Sequence, residues 1–133
     1  MVLVDTNVLI DVAVDDPHWG DWSADQLARA RESDQLALNA IIFAELSVHF
    51  ASAEQLESLL APFRFERLHL PWEAAFVAGK AFKRYRSRGG SKSTPLPDFF
   101  IGAHAATAGL PLLTRDARRY REYFPTVRLI SPK

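Results

Sequence analysis

Short apolar runs alternate along the chain with longer stretches of helical periodicity. The β-branched and apolar triplet Val2–Val4 runs straight into Asp5-Thr6-Asn7, which predicts a buried strand feeding a helix over residues 8–14 that Asp16-Pro17 closes. Residues 19–32 read as an amphipathic helix with Trp22, Leu27 and the alanines inward, and residues 36–38 as a second strand. Asn39 caps a helix from Ala40 to about Phe50, and a further helix over 54–60 stops at Pro62. Residues 65–70 alternate as a third strand. Pro71 then starts a long helix over 72–88, with Trp72, Phe76, Gly79, Phe82 and Tyr85 on its inner face and Gly89-Gly90 as its stop. The Ser/Pro-rich residues 91–97 predict a loop, and Asp98 opens a helix to about Ala108. A strand over 111–113, a short helix over 117–123 and a last strand over 127–130 complete the pattern.

Apolar strands separated by helices imply a parallel sheet covered on both faces, hence an α/β fold: a three-layer α/β/α sandwich with a short, mostly parallel central sheet. At 133 residues the pattern fits one domain spanning 1–133. The chain has no cysteine, so neither a disulfide nor a thiolate nucleophile is available. The N-terminal residues meet Asp5 before any apolar leader forms, and the longest apolar stretch, residues 99–113, is shorter than the ~20 residues of a bilayer span. A cytoplasmic protein with no membrane contact is the expectation. Net charge is zero, but residues 1–60 carry −9 and residues 61–133 carry +9. Such asymmetry suggests either a charged ligand or mutual attraction of the two halves.

In a parallel sheet, ligands gather beyond the carboxyl ends of the strands. Asp5 follows the first strand there, and Asp116 follows Leu112–Leu113 by three residues. Asp5, Asp98 and Asp116 each stand at a predicted helix start, where a carboxylate can simply cap free N–H groups. Glu45 lies among Ile41, Ile42 and Leu46 on or beside an apolar helix face, where an unpaired carboxylate is costly. Such a carboxylate stays protonated or is supplied with a cation, here either His49 one turn on or a metal ion. If Glu45 and Asp98 sit beside the sheet end that holds Asp5 and Asp116, four carboxylates share a pocket. An all-oxygen set suits Mg²⁺ or Mn²⁺; zinc prefers nitrogen or sulfur, and His18, His49, His69 and His104 show no ligand spacing. Basic residues could draw a polyanion towards such a pocket. Lys83, Arg84 and Arg86 lie with Lys80, Arg88 and Lys92 at the end of the long helix and its loop, and Arg115 lies with Arg118, Arg119 and Arg121 around Asp116.

Four segments, Val2-Leu3-Val4-Asp5-Thr6-Asn7-Val8-Leu9, Ala40-Ile41-Ile42-Phe43-Ala44-Glu45-Leu46, Pro97-Asp98-Phe99-Phe100-Ile101-Gly102-Ala103-His104-Ala105 and Leu113-Thr114-Arg115-Asp116, jointly resemble the PIN domain, in particular its VapC-type toxin ribonucleases. The resemblance spans essentially the whole chain. It implies a metal-dependent endoribonuclease that hydrolyses RNA phosphodiesters with Mg²⁺ or Mn²⁺ held by Asp5, Glu45, Asp98 and Asp116. It further implies Thr6, Asn7 and Thr114 as polar supports, a small antitoxin protein as partner, and a homodimer. His104 departs from the small or apolar residue pictured at its place, and its imidazole is expected to face solvent. The alternatives are a receiver-like Mg²⁺-binding signalling module, which wants paired acids after strand one where this chain has Asp5-Thr6, and a catalytically inactive PIN binding module.

Overall fold

A computed structural model describes residues 1–90 and 96–132. Five strands form a single parallel sheet, β1 (Val2–Val4), β2 (Leu36–Asn39), β3 (Glu66–Leu68), β4 (Leu112–Leu113) and β5 (Leu129–Ile130), in the order β3-β2-β1-β4-β5. Every residue of β1, β2 and β4 is buried, which is why these strands read as unbroken apolar runs. The helices are α1 (Thr6–Ala13), α2 (Gly20–Ser33), α3 (Ala40–Ser47), α4 (Ala53–Leu60), α5 (Trp72–Ser87), α6 (Leu96–Ala108) and α7 (Arg118–Tyr123). Strand order runs outward from β1 in one direction through β2 and β3, then jumps back across β1 to β4 and β5. The helices flank this sheet, completing the α/β/α sandwich. The reversal between β1 and β4 leaves a crevice at their carboxyl ends, where Asp5 and Thr114 emerge.

Local chemistry sets the helix ends. Asp5 caps α1, Asn39 caps α3 by accepting from the Ile42 N–H at 3.0 Å, and Ser52 caps α4. Gly89, at φ +86°, turns the chain out of α5. The helix carrying Asp98 begins two residues earlier than its sequence suggests, so Asp98 lies inside the first turn of α6. Asp116 caps nothing, because α7 starts at Arg118 with Ala117 before it and no side-chain cap bond. Of the expected 91–97 loop, residues 91–95, with Lys92 among them, lie outside the described residues.

The face of α5 differs from its expected one. Ala74, Ala78 and Ala81 are fully buried, while Trp72 is 91% and Phe76 68% exposed. Close approach of α5 to α6 admits only small side chains along the seam, so the aromatics are pushed to its margin. Phe82 and Tyr85 pack from there against Phe99, and Tyr123 closes the same cluster. On α6, Gly102 faces the Phe124 ring so closely that a Cβ would stand 2.4 Å from it.

His104 is buried, contrary to its expected solvent exposure. Its Nδ1 accepts from Asn39 Nδ2 at 3.0 Å, and desolvation lowers its pKa, which keeps the ring neutral and able to accept. Asn39 thus caps α3 with its oxygen and ties β2 to α6 with its nitrogen. That one side chain links the helices that carry Glu45 and Asp98.

Candidate functional site

Asp5 is the centre of the crevice. Its Oδ1 accepts the Thr6 N–H at 2.7 Å, so it does cap α1. Its Oδ2 accepts from Thr114 Oγ1 at 2.8 Å, Tyr120 Oη at 2.9 Å and Asn7 Nδ2 at 3.3 Å. Asn7 also donates to Thr114 Oγ1 at 3.3 Å, and its own oxygen accepts the Arg115 N–H at 3.3 Å. Asn7 and Thr114, separated by most of the chain, therefore hold one carboxylate in a fixed orientation. Thr6 acts on another acid, donating from Oγ1 to Glu45 Oε1 at 2.6 Å. Glu45 has this hydroxyl as a partner, whereas His49, one turn along, is exposed.

Burial without a full counter-charge governs the acids. Desolvation raises the Asp5 carboxyl to about 6, against the lowering effect of its hydroxyl and N–H donors, with a further upward push from Glu45. Asp98 rises to about 7, mainly through desolvation and then through the negative charge of Asp5, with Arg119 opposing and Glu45 adding to it. Arg119 Nη1 donates to Asp98 Oδ2 at 2.7 Å. Asp5, Glu45 and Asp98 thus share one electrostatic field. Asp116 stands beside them on an exposed turn, its N–H donating to Thr114 Oγ1 at 3.1 Å, and lines a neighbouring cavity of about 410 Å³ with Tyr85, Arg118, Arg119, Glu122 and Tyr123.

The donor set suits a hard divalent ion: oxygen donors only, with two carboxylates that burial pushes up. The acids are near enough to feel one another, yet among the described residues no three acid or histidine side chains converge tightly enough to hold one ion.

Three residues of this network were not singled out from sequence as parts of the acid site. Tyr120 is buried beneath Asp5; its hydroxyl has a strongly raised pKa from burial and the neighbouring acids, so it stays a donor. Its position three residues after Ala117 gave only an apolar helix signal. Arg119 reads in the sequence as one of several surface bases. Asp11 is buried and accepts from Ser23 Oγ and Arg115 Nε, both at 2.8 Å. Arg115, considered for RNA contact, is thereby fixed to α1, with its guanidinium above the Trp19 ring. Lys83, Arg84 and Arg86 are exposed on α5, and Lys83 and Arg86 line a shallow hollow with Phe82.

A parallel sheet of order 3-2-1-4-5, with acids at the crevice between strands 1 and 4, defines a class of α/β proteins with an acidic site. Residues 2–124 match the PIN domain, and the chain belongs to that family, whose members are in general nucleases. No curated protein matches the sequence significantly. Similar solved structures include VapBC2 from Rickettsia felis bound to a DNA fragment from its promoter, with TM-score 0.74, 21% identity and 98% of both chains covered. DNA-bound VapBC from Salmonella typhimurium gives TM-score 0.72 at 22% identity, again over 98% of both chains. FitAcB from Neisseria gonorrhoeae gives 0.67 at 23% identity, over 98% of this chain and 96% of the other.

Proposed function

We propose that residues 1–133 act as one PIN-like nuclease domain, a VapC-type toxin that hydrolyses RNA phosphodiesters with Mg²⁺ or Mn²⁺. The observation that carries this reading is that Asp5, Glu45 and Asp98, from the first strand, the third helix and the sixth, lie close enough to feel one another's charge, with Thr6 bonded to both Asp5 and Glu45. Asp5, Glu45, Asp98 and Asp116 are the residues that would hold the ion. A divalent ion bound there would supply the positive charge that activates water and stabilises the departing 3′ oxygen. Thr114, Tyr120 and Asn7 orient Asp5, and Thr6 orients Glu45, as outer partners that fix ligand geometry. Glu45 alternatively orients the attacking water.

The basic residues of the C-terminal half supply the attraction that an acidic crevice lacks. Lys83, Arg84 and Arg86 on α5 are assigned to the RNA backbone, whereas the guanidinium of Arg115 is engaged by Asp11. A similar solved structure from Klebsiella pneumoniae is a toxin-antitoxin complex, and a small antitoxin is the partner proposed here. An apolar groove of about 600 Å³ beside α3 and β3, lined by Phe43, Ala44, Leu68 and Arg67, offers room for a partner's apolar side chains. Exposed Trp72 and Phe76 support a homodimer through α5. Among the described residues no helix is long and apolar enough to cross a membrane, and a cytoplasmic site of action accompanies the RNA reading.

The test is direct. Purified protein incubated with total RNA should cleave it with Mg²⁺ or Mn²⁺ and stop on addition of EDTA, while Asp5→Asn and Asp98→Asn abolish cleavage. Undiminished cutting in chelator would remove the metal mechanism. Folded protein that binds these ions but cuts no RNA would favour the inactive binding module.

A further inference from the structure

Arg119 faces two environments at once. On one side its Nη1 donates to Asp98 Oδ2 at 2.7 Å; on the other it lines the cavity of about 410 Å³ that also holds Arg118, Asp116, Glu122 and the rings of Tyr85 and Tyr123. Its guanidinium carbon lies 5.4 Å from the Tyr85 ring centre and 5.9 Å from that of Phe99, so the group rests on two aromatic rings. The side chain is only 30% exposed, which makes this a built contact and not a solvated surface pair.

We propose that Arg119 is a phosphate-binding residue held in reserve: it pairs with Asp98 while the acids lack a metal ion, and turns into the α7 cavity to bind a backbone phosphate of the RNA once a divalent ion takes Asp98. The inference rests on the metal-dependent nuclease reading. Three facts support it. One guanidinium cannot neutralise Asp5, Glu45 and Asp98 together. Asp98 is the one of the three whose carboxylate Arg119 reaches. A divalent ion placed on the Asp98 carboxylate would meet a guanidinium at hydrogen-bond distance from the same group, and the two cations repel. The cavity that would receive the displaced side chain already presents Arg118, a second guanidinium suited to a phosphate.

The experiment measures Mg²⁺ binding by calorimetry at pH 8.5, where proton competition at the acids is weak, and then uridine 5′-monophosphate binding with and without saturating Mg²⁺. Wild type is compared with Arg119→Met, which retains the stem on the aromatic rings, and with Arg119→Gln as a second variant. Removing the competing cation should tighten Mg²⁺ binding about three- to tenfold, the range set by a partly exposed ion pair. Nucleotide affinity should fall about tenfold in the variants when Mg²⁺ is present and stay equal to wild type when it is absent. Unchanged or weaker Mg²⁺ binding by both variants overturns the proposal, as does an equal loss of nucleotide affinity with and without the ion. Failure of wild type and variants alike to bind Mg²⁺ overturns both this proposal and the metal-dependent reading, whereas Mg²⁺ binding insensitive to Arg119 overturns this one alone.

Discussion

Asp5 and Asp98 illustrate how a residue's chemistry is fixed by what surrounds it. Both are carboxyls whose folded pKa values, about 6 and about 7, exceed the ordinary 3.8. The native state therefore holds protons that the unfolded chain has already released, and the stability these groups contribute is complete below pH 4 and is lost as pH rises through 6 and 7. Asp98→Asn removes that loss. The variant's Tm in the absence of metal should exceed wild type by several degrees at pH 8, and the gap should close towards pH 4, as read by calorimetry. Ion binding carries the opposite sign, because the ligands must be deprotonated. Mn²⁺ affinity measured between pH 8 and pH 6 should fall about twentyfold as Asp98 and then Asp5 take up protons. Tyr120→Phe deletes one donor to Asp5 and so raises that carboxyl further. Mn²⁺ binding at pH 7 should weaken severalfold with the fold intact, and recover as pH rises.

Individual elements show where periodicity succeeds and where packing overrides it. The short strands and the Asn39 cap were legible because burial on both faces demands unbroken apolar runs, and a free helix end demands an acceptor. The inner face of α5 was misread, since Trp72 and Phe76 carry more hydrophobicity than Ala74 and Ala78 while interhelix distance favours the smaller set. Glutamate at Trp72 or Phe76 should change the stability of the isolated chain by less than about 0.5 kcal/mol in denaturant titrations, whereas Ala78→Leu should cost about 1–3 kcal/mol through overpacking. If α5 is the dimer surface, the Trp72 variant should also sediment as a monomer. His104 was misplaced for a related reason: an imidazole has no sequence mark for burial, and only its Asn39 partner, 65 residues away, makes burial tolerable. His104→Leu leaves the Asn39 amide unpaired and should cost about 1–3 kcal/mol in the same titration.

At the scale of the molecule, the charge asymmetry serves the attraction between halves that its arithmetic left open, and leaves exposed bases for the proposed ligand. Arg115–Asp11 and Arg67–Glu57 join the acidic half to the basic half, while Lys83, Arg84 and Arg86 remain exposed. Charge reversal at Lys83 and Arg84 should weaken RNA binding most at low salt, a loss that shrinks as salt is added. The sequence by itself determined the α/β alternation, the parallel sheet and the family, and singled out the candidate acids, because strand burial, helix caps and the four motif segments are local properties of neighbouring residues. Tertiary structure alone decided which of those acids share a field, that Tyr120 lies beneath Asp5, that Arg115 is tied to Asp11 and that Arg119 rests on Asp98. Desolvation and pairing depend on groups brought together from distant parts of the chain, and no local pattern of residues encodes that meeting.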